Sequence, residues 1–254
     1  MKITFLGTGT SQGIPMIGSD HPVCLSTNPK DKRLRSSVMV TDEDFQIVID
    51  CGPDFRMQML NAKVTFLDGI VFTHDHADHT AGLDDVRQFS KRLGALPIYA
   101  HKNVLHHLER RYDYIFNSEV IYEGKPRVKP FEIFENQKFK IKEKEIIPIQ
   151  IMHGQMAIFG FRIDDFAYLT DISFIEEIEK EKLKGLKMLV VDALRIAYHP
   201  THFNLEQALE LINELKPTTA YLTHISQRLG FHDEVQKTLP KNVQLSYDGL
   251  VVTI

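Results

Sequence analysis

One short segment decides how the chain folds, and it reads Phe72-Thr73-His74-Asp75-His76-Ala77-Asp78-His79. It continues an apolar run over residues 69–72, and most of its residues are His or Asp. Neutral imidazole and carboxylate are the usual protein ligands for zinc and similar divalent ions. The spacing His-x-His-x-Asp-His, in a tight turn or a first helical turn, aims several donors into a small volume. A merely solvated polar turn does not need so many donors at this spacing, so the segment predicts a metal site.

Three further strand-like runs end in a potential ligand, as the run before His74 does. They are residues 148–153, 167–171 and 220–224. A Thr directly precedes the ligand in the last two of these runs, as it does before His74. Strands that run alike in two packed sheets have their ends at one edge, so we expect the following donors to converge: His74, His76, Asp78, His79, His153, Asp171 and His224. Seven donors exceed what one four-coordinate ion needs and suit two ions that share a bridging carboxylate.

Two neighbouring features belong to the same predicted edge. Asp50 ends the apolar run 47–49, where it is either a ligand or a hydrogen-bond acceptor that orients a metal-binding His. Residues 7–13 form a glycine-rich loop after the first predicted strand, but they lack the Gly-Lys-Ser/Thr ending of a phosphate-binding loop and the Rossmann spacing. We interpret this loop as a place where the backbone passes close to the metal edge.

Hydrophobic patterning predicts an α/β (α+β) fold. Short runs rich in Val, Ile and Phe predict strands over 3–6, 37–40, 47–49, 70–72, 146–151, 166–169, 188–191, 220–222 and 243–246. Helices are predicted over 104–116, 174–183 and 205–215, the last with Asn204 as its N-cap and Pro217 beyond its end. With no repeat and no obvious linker, we predict one domain over 1–254, with two strand-rich halves and helices outside.

Composition excludes several classes of protein. The 254 residues carry a net charge of -4, with 34 Asp+Glu against 30 Lys+Arg, so there is no basic field for broad nucleic-acid affinity. No apolar run approaches the roughly 20 residues that cross a bilayer, and the start of the chain has no signal-peptide pattern. The two cysteines provide no disulfide framework, so we expect a cytoplasmic protein with no membrane partner.

Landmarks spread over nearly the whole chain make it similar to a known family. They are residues 7–11, 35–37, 49–52, 73–79, 153–154, 169–171, 222–226 and 247–249, together with His202 and Leu205. The set resembles the metallo-β-lactamase-fold hydrolases, and within them the branch of the phosphoribosyl 1,2-cyclic phosphate phosphodiesterases and, more distantly, the tRNA 3′-end endonucleases. The resemblance implies a four-layer αβ/βα sandwich of two mixed β-sheets flanked by helices, with the site along the shared sheet edge.

The resemblance also assigns roles to the predicted donors. It implies that His74, His76 and His153 hold one ion, that Asp78, His79 and His224 hold the other, and that Asp171 bridges them. Asp50 would not bind metal itself but would orient the ligands through hydrogen bonds. His202 would stand near the leaving group, with His199 as its rival for that role.

One loop departs from the family pattern. The phosphodiesterases hold a structural zinc with closely spaced cysteines and a histidine, whereas residues 18–24 here offer only Cys24 and His21, and Gln227 stands where the further histidine would be. This argues against a structural zinc, and it weakens the inference of a sugar-phosphate substrate.

The expected activity is metal-dependent hydrolysis of a small phosphodiester, cyclic ones included, through a hydroxide that bridges two divalent ions. Asp78 would orient this nucleophile while binding metal, and His202 would protonate the leaving oxygen or bind the phosphoryl group. The ions would be Zn²⁺ or Mn²⁺, with iron also compatible. Alternatives are a tRNA 3′-end endoribonuclease, which the acidic balance disfavours, a thioester or lactone hydrolase, and a di-iron redox protein. A homodimer is compatible with the resemblance.

Overall fold

The computed structural model describes residues 1–120 and 122–254, and its strands form two seven-stranded sheets. The first sheet has the order β14-β1-β2-β3-β4-β5-β6 and the second the order β13-β12-β11-β10-β9-β8-β7. The strands are β1 (Lys2–Gly7), β2 (Ser37–Asp42), β3 (Phe45–Ile49), β4 (Gly69–Val71), β5 (Leu96–Ala100), β6 (Val128–Glu132), β7 (Phe139–Ile141), β8 (Lys144–His153), β9 (Met156–Ile163), β10 (Phe166–Leu169), β11 (Met188–Asp192), β12 (Thr219–Thr223), β13 (Val243–Leu245) and β14 (Val251–Thr253).

Short helices join the strands. They are α1 (Pro22–Leu25), α2 (Phe55–Asn61), α3 (Ala77–Thr80), α4 (Arg87–Leu93), α5 (Lys102–Arg111), α6 (Asp113–Phe116), α7 (Glu177–Glu181), α8 (Leu205–Leu215) and α9 (His232–Gln236). Three further turns are 3₁₀-helical, at Pro29–Asp31, Leu83–Val86 and Gln227–Leu229. Each helix in residues 1–120 and 122–254 is too short or too polar to traverse a bilayer.

Both sheets are mixed, and each has a parallel part. Strands β3, β4, β5 and β6 run parallel in the first sheet, and β10, β11, β12 and β13 run parallel in the second. The carboxyl ends of parallel neighbours lie at the same edge of a sheet, which is where open α/β sheets bind ligands. The topology therefore creates the shared edge that the sequence predicts.

Strand residues pack into apolar cores on both faces of the sheets, which explains why the strands are continuous apolar runs in the sequence. Ile47 and Ile49 of β3 pack in the central core between the sheets, whereas Val48 faces the outer core under α2 and α4. In the same way Val190 of β11 packs centrally and Leu189 packs in the other outer core, under α8. Strands covered on both faces do not alternate between polar and apolar residues. This layering of helices, two mixed sheets and helices confirms the predicted sandwich.

The predicted strands and the C-terminal helix are present. Asn204 caps α8 as expected, since its side chain accepts from the backbone N–H of Gln207 (2.9 Å) and the Gln207 side chain accepts from the Asn204 N–H (3.1 Å). This reciprocal pair is a capping box. Lys216 then adopts the left-handed conformation that ends the helix before Pro217.

Two helix predictions are wrong in part. Residues 104–116 do not form one helix, because Tyr112 (φ −121°, ψ 43°) separates α5 from α6. In 174–183 only Glu177–Glu181 is α-helical, since Phe174 is extended and its carbonyl accepts from the N–H of Met152 (2.9 Å). A tertiary bridge to β8 thus replaces the first helical turn. Five strands lie outside the predicted runs: β5, β6, β7, β9 and β14. In β9, Gly160 and Arg162 interrupt the apolar pattern.

Candidate metal centre

Four strand ends bring the predicted donors to one edge. His74 follows β4, His153 ends β8, Asp171 follows β10 and His224 follows β12. Asp171 and His224 have positive φ values of 57° and 55°, as does Asp50 after β3, at 66°. This left-handed conformation is uncommon for residues other than glycine, and such strain is concentrated at functional sites.

A first group of donors surrounds His79. One ligand atom each from Asp78, His79, Asp171 and His224 lies within 4.8 Å of the others. The Nε2 atom of His79 is 3.1 Å from Oδ2 of Asp78 and 3.2 Å from Oδ2 of Asp171. The Nδ1 atom of His224 is 3.2 Å from the same Asp171 oxygen. This group contains the three residues predicted for one ion, plus the predicted bridge.

A second group lies on the other side of Asp171. His74, His76 and His153 cluster with ring centroids 4.6 Å apart for the first two, 5.1 Å for His76 and His153, and 5.7 Å for His74 and His153. Ligand atoms of His153, Asp171 and His202 also lie within 4.8 Å of one another. Asp171 thus lies close to His153 of this cluster as well as within the His79 group, and all seven predicted donors lie in segments that follow these strand ends.

The Nδ1 atoms of three of these imidazoles have hydrogen-bond partners outside the set of donors. Asp50 is buried, and its Oδ2 is 2.7 Å from Nδ1 of His79, while its carboxylate also accepts from the N–H (2.9 Å) and hydroxyl (2.8 Å) of Thr73. Nδ1 of His74 lies 2.9 Å from the Thr73 hydroxyl, and Nδ1 of His153 lies 2.8 Å from the carbonyl of Thr201. Metal-binding histidines are oriented by partners of this kind. Asp50 thus stands where the sequence places an orienting carboxylate.

The donor set fits divalent ions. Nε2 of His74 is buried and has no hydrogen-bond partner among the described residues, which is costly unless a ligand satisfies it. Imidazole nitrogens and carboxylate oxygens in this number match the ligands of zinc, manganese and iron. Thr170 completes the arrangement by donating its hydroxyl to Oδ2 of Asp171 (2.6 Å), which explains one of the Thr-ligand pairs of the sequence.

Burial and charge set the protonation of the donors. Burial lowers the pKa of His224 to about 3 and holds the pKa of His74 well below its ordinary value, so both imidazoles are neutral at pH 7. Burial acts to lower the pKa of His79 too, but the carboxylates of Asp171, Asp78 and Asp50 outweigh it and raise that pKa. Burial acts to raise the pKa of Asp171, but its histidine neighbours hold it well below its usual range. The cluster thus combines the ionised carboxylate of Asp171 with the neutral imidazoles of His74 and His224.

Of the two rival histidines, His202 borders the donor groups. Its ring is 4.6 Å from that of His153 and stacks at 5.0 Å on that of His224, whereas His199 lies 5.1 Å beyond His202. The Nδ1 atom of His202 is 2.7 Å from Oδ2 of Asp192, which is fully buried at the end of β11. Asp192 was missed in the sequence, although it gives the same signal as the other donors, an apolar strand ending in a carboxylate.

Glycines let backbone segments approach this edge. A Cβ atom on Gly52 would lie 2.0 Å from the carbonyl oxygen of Asp78, so only glycine fits beside the ligand turn. The glycine-rich loop passes next to His224, since the N–H of Ile225 donates to the carbonyl of Thr8 (2.9 Å) and the N–H of Thr10 to the carbonyl of Ile225 (3.1 Å). The loop has the role that the sequence predicts for it.

Cys24 and Gln227 contact each other, in the loop that departs from the family. The Cys24 thiol donates to Oε1 of Gln227 (2.7 Å), which also accepts from the hydroxyl of Ser19 (3.2 Å). His21 caps α1 by accepting from the N–H of Val23 (3.3 Å). Hydrogen bonds therefore join this loop to Gln227, and the absence of a structural zinc stays a prediction.

Comparisons with known proteins agree with this geometry. Residues 46–225 match the family described as beta-lactamase superfamily domain. A solved structure described as a new diphosphatase from the PhnP family has a TM-score of 0.93 and 38% sequence identity, over 100% of this chain and 97% of that chain.

Curated relatives match over part of their length. An octanoyltransferase of Porphyromonas gingivalis is 38% identical over 256 residues, which are 100% of this chain and 52% of that protein. A ribonuclease Z of Methanosarcina acetivorans is 34% identical over 104 residues, which are 39% of this chain and 29% of that protein. The chain thus spans about half the length, or less, of these relatives.

The family match covers the ligand turn and all the strand ends that carry donors. The match to the diphosphatase structure extends over the whole chain at 38% identity. The chain therefore belongs to the beta-lactamase superfamily, within its PhnP family.

Proposed function

We propose that the chain hydrolyses a small phosphodiester, cyclic ones included, with two divalent ions bound at the strand ends. The position of Asp171 supports this proposal most, because its carboxylate belongs to two donor groups at once. A shared carboxylate between two sets of ligands suits a pair of ions 3.5–4 Å apart, the usual arrangement for phosphoryl transfer. The names of two relatives, a diphosphatase and a ribonuclease, also denote cleavage of phosphorus–oxygen bonds.

The ligands would divide as the resemblance implies. His74, His76 and His153 would hold one ion, and Asp78, His79 and His224 the other, with Asp171 between them. When bound, two such ions activate water at neutral pH and neutralise charge on the phosphoryl oxygens. Zn²⁺ and Mn²⁺ are our candidates, with iron next, since this donor set accepts all three.

His202 is the candidate proton donor to the leaving oxygen. Asp192 occupies its Nδ1, which leaves Nε2 free to carry a proton to substrate. Burial acts to lower the pKa of His202, but Asp192, Asp171 and Asp78 outweigh burial and raise it, so a proton is available near neutral pH. Asp192 thus orients the ring and stabilises its cationic form.

Asp78 is the candidate residue for orienting the nucleophile. Its side chain is 12% exposed, whereas that of Asp171 is 2% exposed, so Asp78 is the more accessible of the two carboxylates in the His79 group. A carboxylate that is both close to the ligands and open to solvent can accept a hydrogen bond from an attacking water.

Diphosphate hydrolysis is the second candidate, favoured by the name of the 38% identical structure. A tRNA 3′-end endoribonuclease is disfavoured by the net charge of -4, which provides no general attraction for RNA. The name octanoyltransferase belongs to a protein about twice as long as the matched segment, so a thioester substrate is a proposal to test beside these.

A substrate panel tests the proposal. Protein reconstituted with Zn²⁺ or Mn²⁺ is assayed with bis(p-nitrophenyl) phosphate, a 2′,3′-cyclic nucleotide, ADP, precursor tRNA and an octanoyl thioester. We expect turnover of the phosphodiesters that requires metal and is lost in Asp171→Asn. Turnover of the thioester alone, or of none of the phosphorus compounds by fully metal-loaded protein, would contradict the proposal.

The homodimer and the cytoplasmic location stay predictions. Light scattering during size-exclusion chromatography tests the first, with a mass near 58 kDa expected for two chains of 29.2 kDa. A mass near that of one chain would contradict it.

A further inference from the structure

A cavity of about 300 Å³ lies beside the metal centre, and His74 is the one donor that forms part of its wall among the described residues. We name it the side cavity. Its wall is formed at the ends of β4 and β5, at the start of α5 and along the first residues of β9. Polar side chains in this wall include those of Asp75, His101, Asn103, His107, Glu135 and Gln150.

The side cavity and the metal centre share one sheet edge. Strands β3 to β6 are parallel, so His74 after β4, His101 after β5 and Glu135 after β6 all follow carboxyl ends at that edge. The second sheet closes the cavity from the other side, where the N–H of Phe159 donates to the carbonyl of Thr73 (3.1 Å). Thr73 and His74 belong to the wall of the cavity as well as to the metal centre.

The charge of the side cavity is unusual for an enzyme of phosphate esters. Two carboxylates line it, and each faces an imidazole: Nε2 of His101 is 3.2 Å from Oε1 of Glu135, and His107 contacts Asp75. Within the part of the chain that the structure describes, its wall contains no Lys and no Arg. A phosphate or carboxylate bound among these wall residues would therefore meet two acidic side chains and no Lys or Arg of the wall.

We propose that the side cavity binds the group that stays on phosphorus, and that it accepts an uncharged hydrogen-bonding group and rejects a second anionic one. The inference rests on the proposed phosphodiesterase activity and defines its substrate class. Hydroxyl groups can donate to the carboxylates of Asp75 and Glu135, and the amides of Asn103 and Gln150 both donate and accept. An apolar floor that includes Val104, Ile158 and Phe159 completes a mixed pocket suited to a small organic group.

The placement of His202 assigns the two ester groups to opposite ends. His202 lies at the ends of β11 and β12, where it bonds Asp192 and stacks on His224. The side cavity lies at the other end of the centre, beyond β4. A leaving group protonated by His202 therefore points away from the cavity, and the retained group points into it. This arrangement favours an open-chain diester with an uncharged retained group over a cyclic one, because a cyclic phosphate carries both ester oxygens on a single group. A diphosphate would be a poor substrate.

A matched pair of substrates tests the charge preference. The p-nitrophenyl esters of 2-carbamoylethyl phosphate and 2-carboxyethyl phosphate have the same leaving group and nearly the same shape, and they differ in the charge of the retained group. We expect kcat/KM of the metal-loaded protein to favour the neutral amide compound by about tenfold, since one charge near two carboxylates is worth about that much at partly solvated distances.

Charge reversal at Glu135 provides the decisive variant. Glu135 is exposed at the cavity wall, so Glu135→Lys is tolerable, and we expect the preference to fall to about one or to invert. Glu132→Lys is the control, because Glu132 is also exposed and lies three residues earlier but does not line the cavity. It changes the net charge equally and should keep the preference.

The outcomes separate the two proposals. Turnover of both diesters at equal kcat/KM, or an unchanged preference in Glu135→Lys, would overturn the assignment of the side cavity while leaving the phosphodiesterase activity intact. Turnover of neither diester by protein with full metal content would overturn the proposed function, and the cavity assignment with it.

Discussion

Asp171 is held at the centre of the metal site by contacts on every side. Its Oδ2 lies 3.2 Å from Nε2 of His79, 3.2 Å from Nδ1 of His224 and 2.6 Å from the hydroxyl of Thr170. Its backbone is held at φ 57° directly after β10, a conformation that costs energy for a residue with a side chain. One residue therefore combines backbone strain, burial and a carboxylate shared by two donor groups.

Replacing Asp171 by Asn should empty both metal sites. The amide keeps the size of the side chain but removes the charge and one acceptor that both groups share, so we expect metal content to fall from about two ions per chain to well below one. Elemental analysis after reconstitution measures this. Asp165→Asn, in the turn before β10, is the control and should retain metal. Full metal content in Asp171→Asn would show that Asp171 is not the bridge.

The contribution of His202 to kcat should depend on how much the leaving oxygen of the substrate needs a proton. In His202→Ala we expect kcat on a diester with a poor leaving group to fall by about 10² to 10⁴ with metal content retained. The loss should be much smaller for p-nitrophenolate, which leaves without a proton. Asp192→Asn should show a smaller loss with the same dependence on the leaving group, because it acts through the orientation of His202. If His199→Ala gave this pattern and His202→Ala did not, the assignment would be reversed.

At the scale of elements, helix α5 holds the turn that carries four of the donors. Arg111 near its C-terminus donates to the carbonyl of Asp75 (3.2 Å) and to the hydroxyl of Thr80 (2.6 Å). The Thr80 hydroxyl donates in turn to the carbonyl of His76 (2.8 Å), and the hydroxyl of Tyr112 donates to the carbonyl of Thr80 (3.1 Å). These bonds fix the backbone between His74 and His79 from outside the metal site.

Loosening this contact should weaken metal binding without removing a ligand. In Arg111→Met we expect metal affinity to fall by about tenfold or more, which is typical when a partner that orients ligands is lost. Competition with a chromophoric chelator measures the affinity. Arg110→Met is a matched control, since Arg110 is the adjacent exposed arginine on α5. Equal affinities in the two variants would show that α5 does not hold the turn.

At the scale of the whole molecule, a buried arginine joins segments from both ends of the chain. Nη1 of Arg33 donates to the hydroxyl of Thr8 (2.7 Å) and to the carbonyl of Ser246 (2.6 Å), and Nη2 lies 3.2 Å from Nδ1 of His232. The carboxylate of Asp248 accepts from the same Thr8 hydroxyl (2.7 Å). Burial lowers the pKa of Arg33 to about 10, so it remains charged at neutral pH. This network supports the glycine-rich loop beside the metal edge.

His232 should make the fold sensitive to acid. Burial, together with the positive charges of Arg33 and Lys30, lowers the pKa of His232 to about 4, against about 6.5 in an unfolded chain. Between these values the unfolded chain binds a proton that the folded protein does not. The free energy of unfolding should therefore fall as the pH is lowered from about 6.5 to about 4.

Urea denaturation at several pH values measures this slope in wild type and in His232→Asn, where we expect a shallower slope. Burial raises the pKa of Asp248 to about 6, which acts with the opposite sign over part of the range, but Asp248 is present in both proteins and cancels in the comparison. Identical slopes would assign the acid sensitivity to other groups.

The metal edge could be predicted because its signals are local. Each donor directly follows an apolar run, and the His-x-His-x-Asp-His spacing occupies one turn, so neighbouring residues carry the information. Asp192 gives the same local signal, but its role becomes visible only when β11 is placed beside β12 and His202 is brought to it. The prediction of a helix over 174–183 was wrong in part because a contact distant in sequence decides this segment. The bridge from Phe174 to β8 overrides the local helical pattern.

The sequence by itself determined the donors, the principal strands and the class of fold, because apolar periodicity and ligand spacing depend on residues close together in the chain. Only the tertiary structure decided that Asp192 pairs with His202, that His202 and not His199 borders the donors, and that an acidic cavity adjoins His74. These features depend on how distant strands pack across two sheets. Packing of that kind is a sum of many small contacts, and no short stretch of sequence records it.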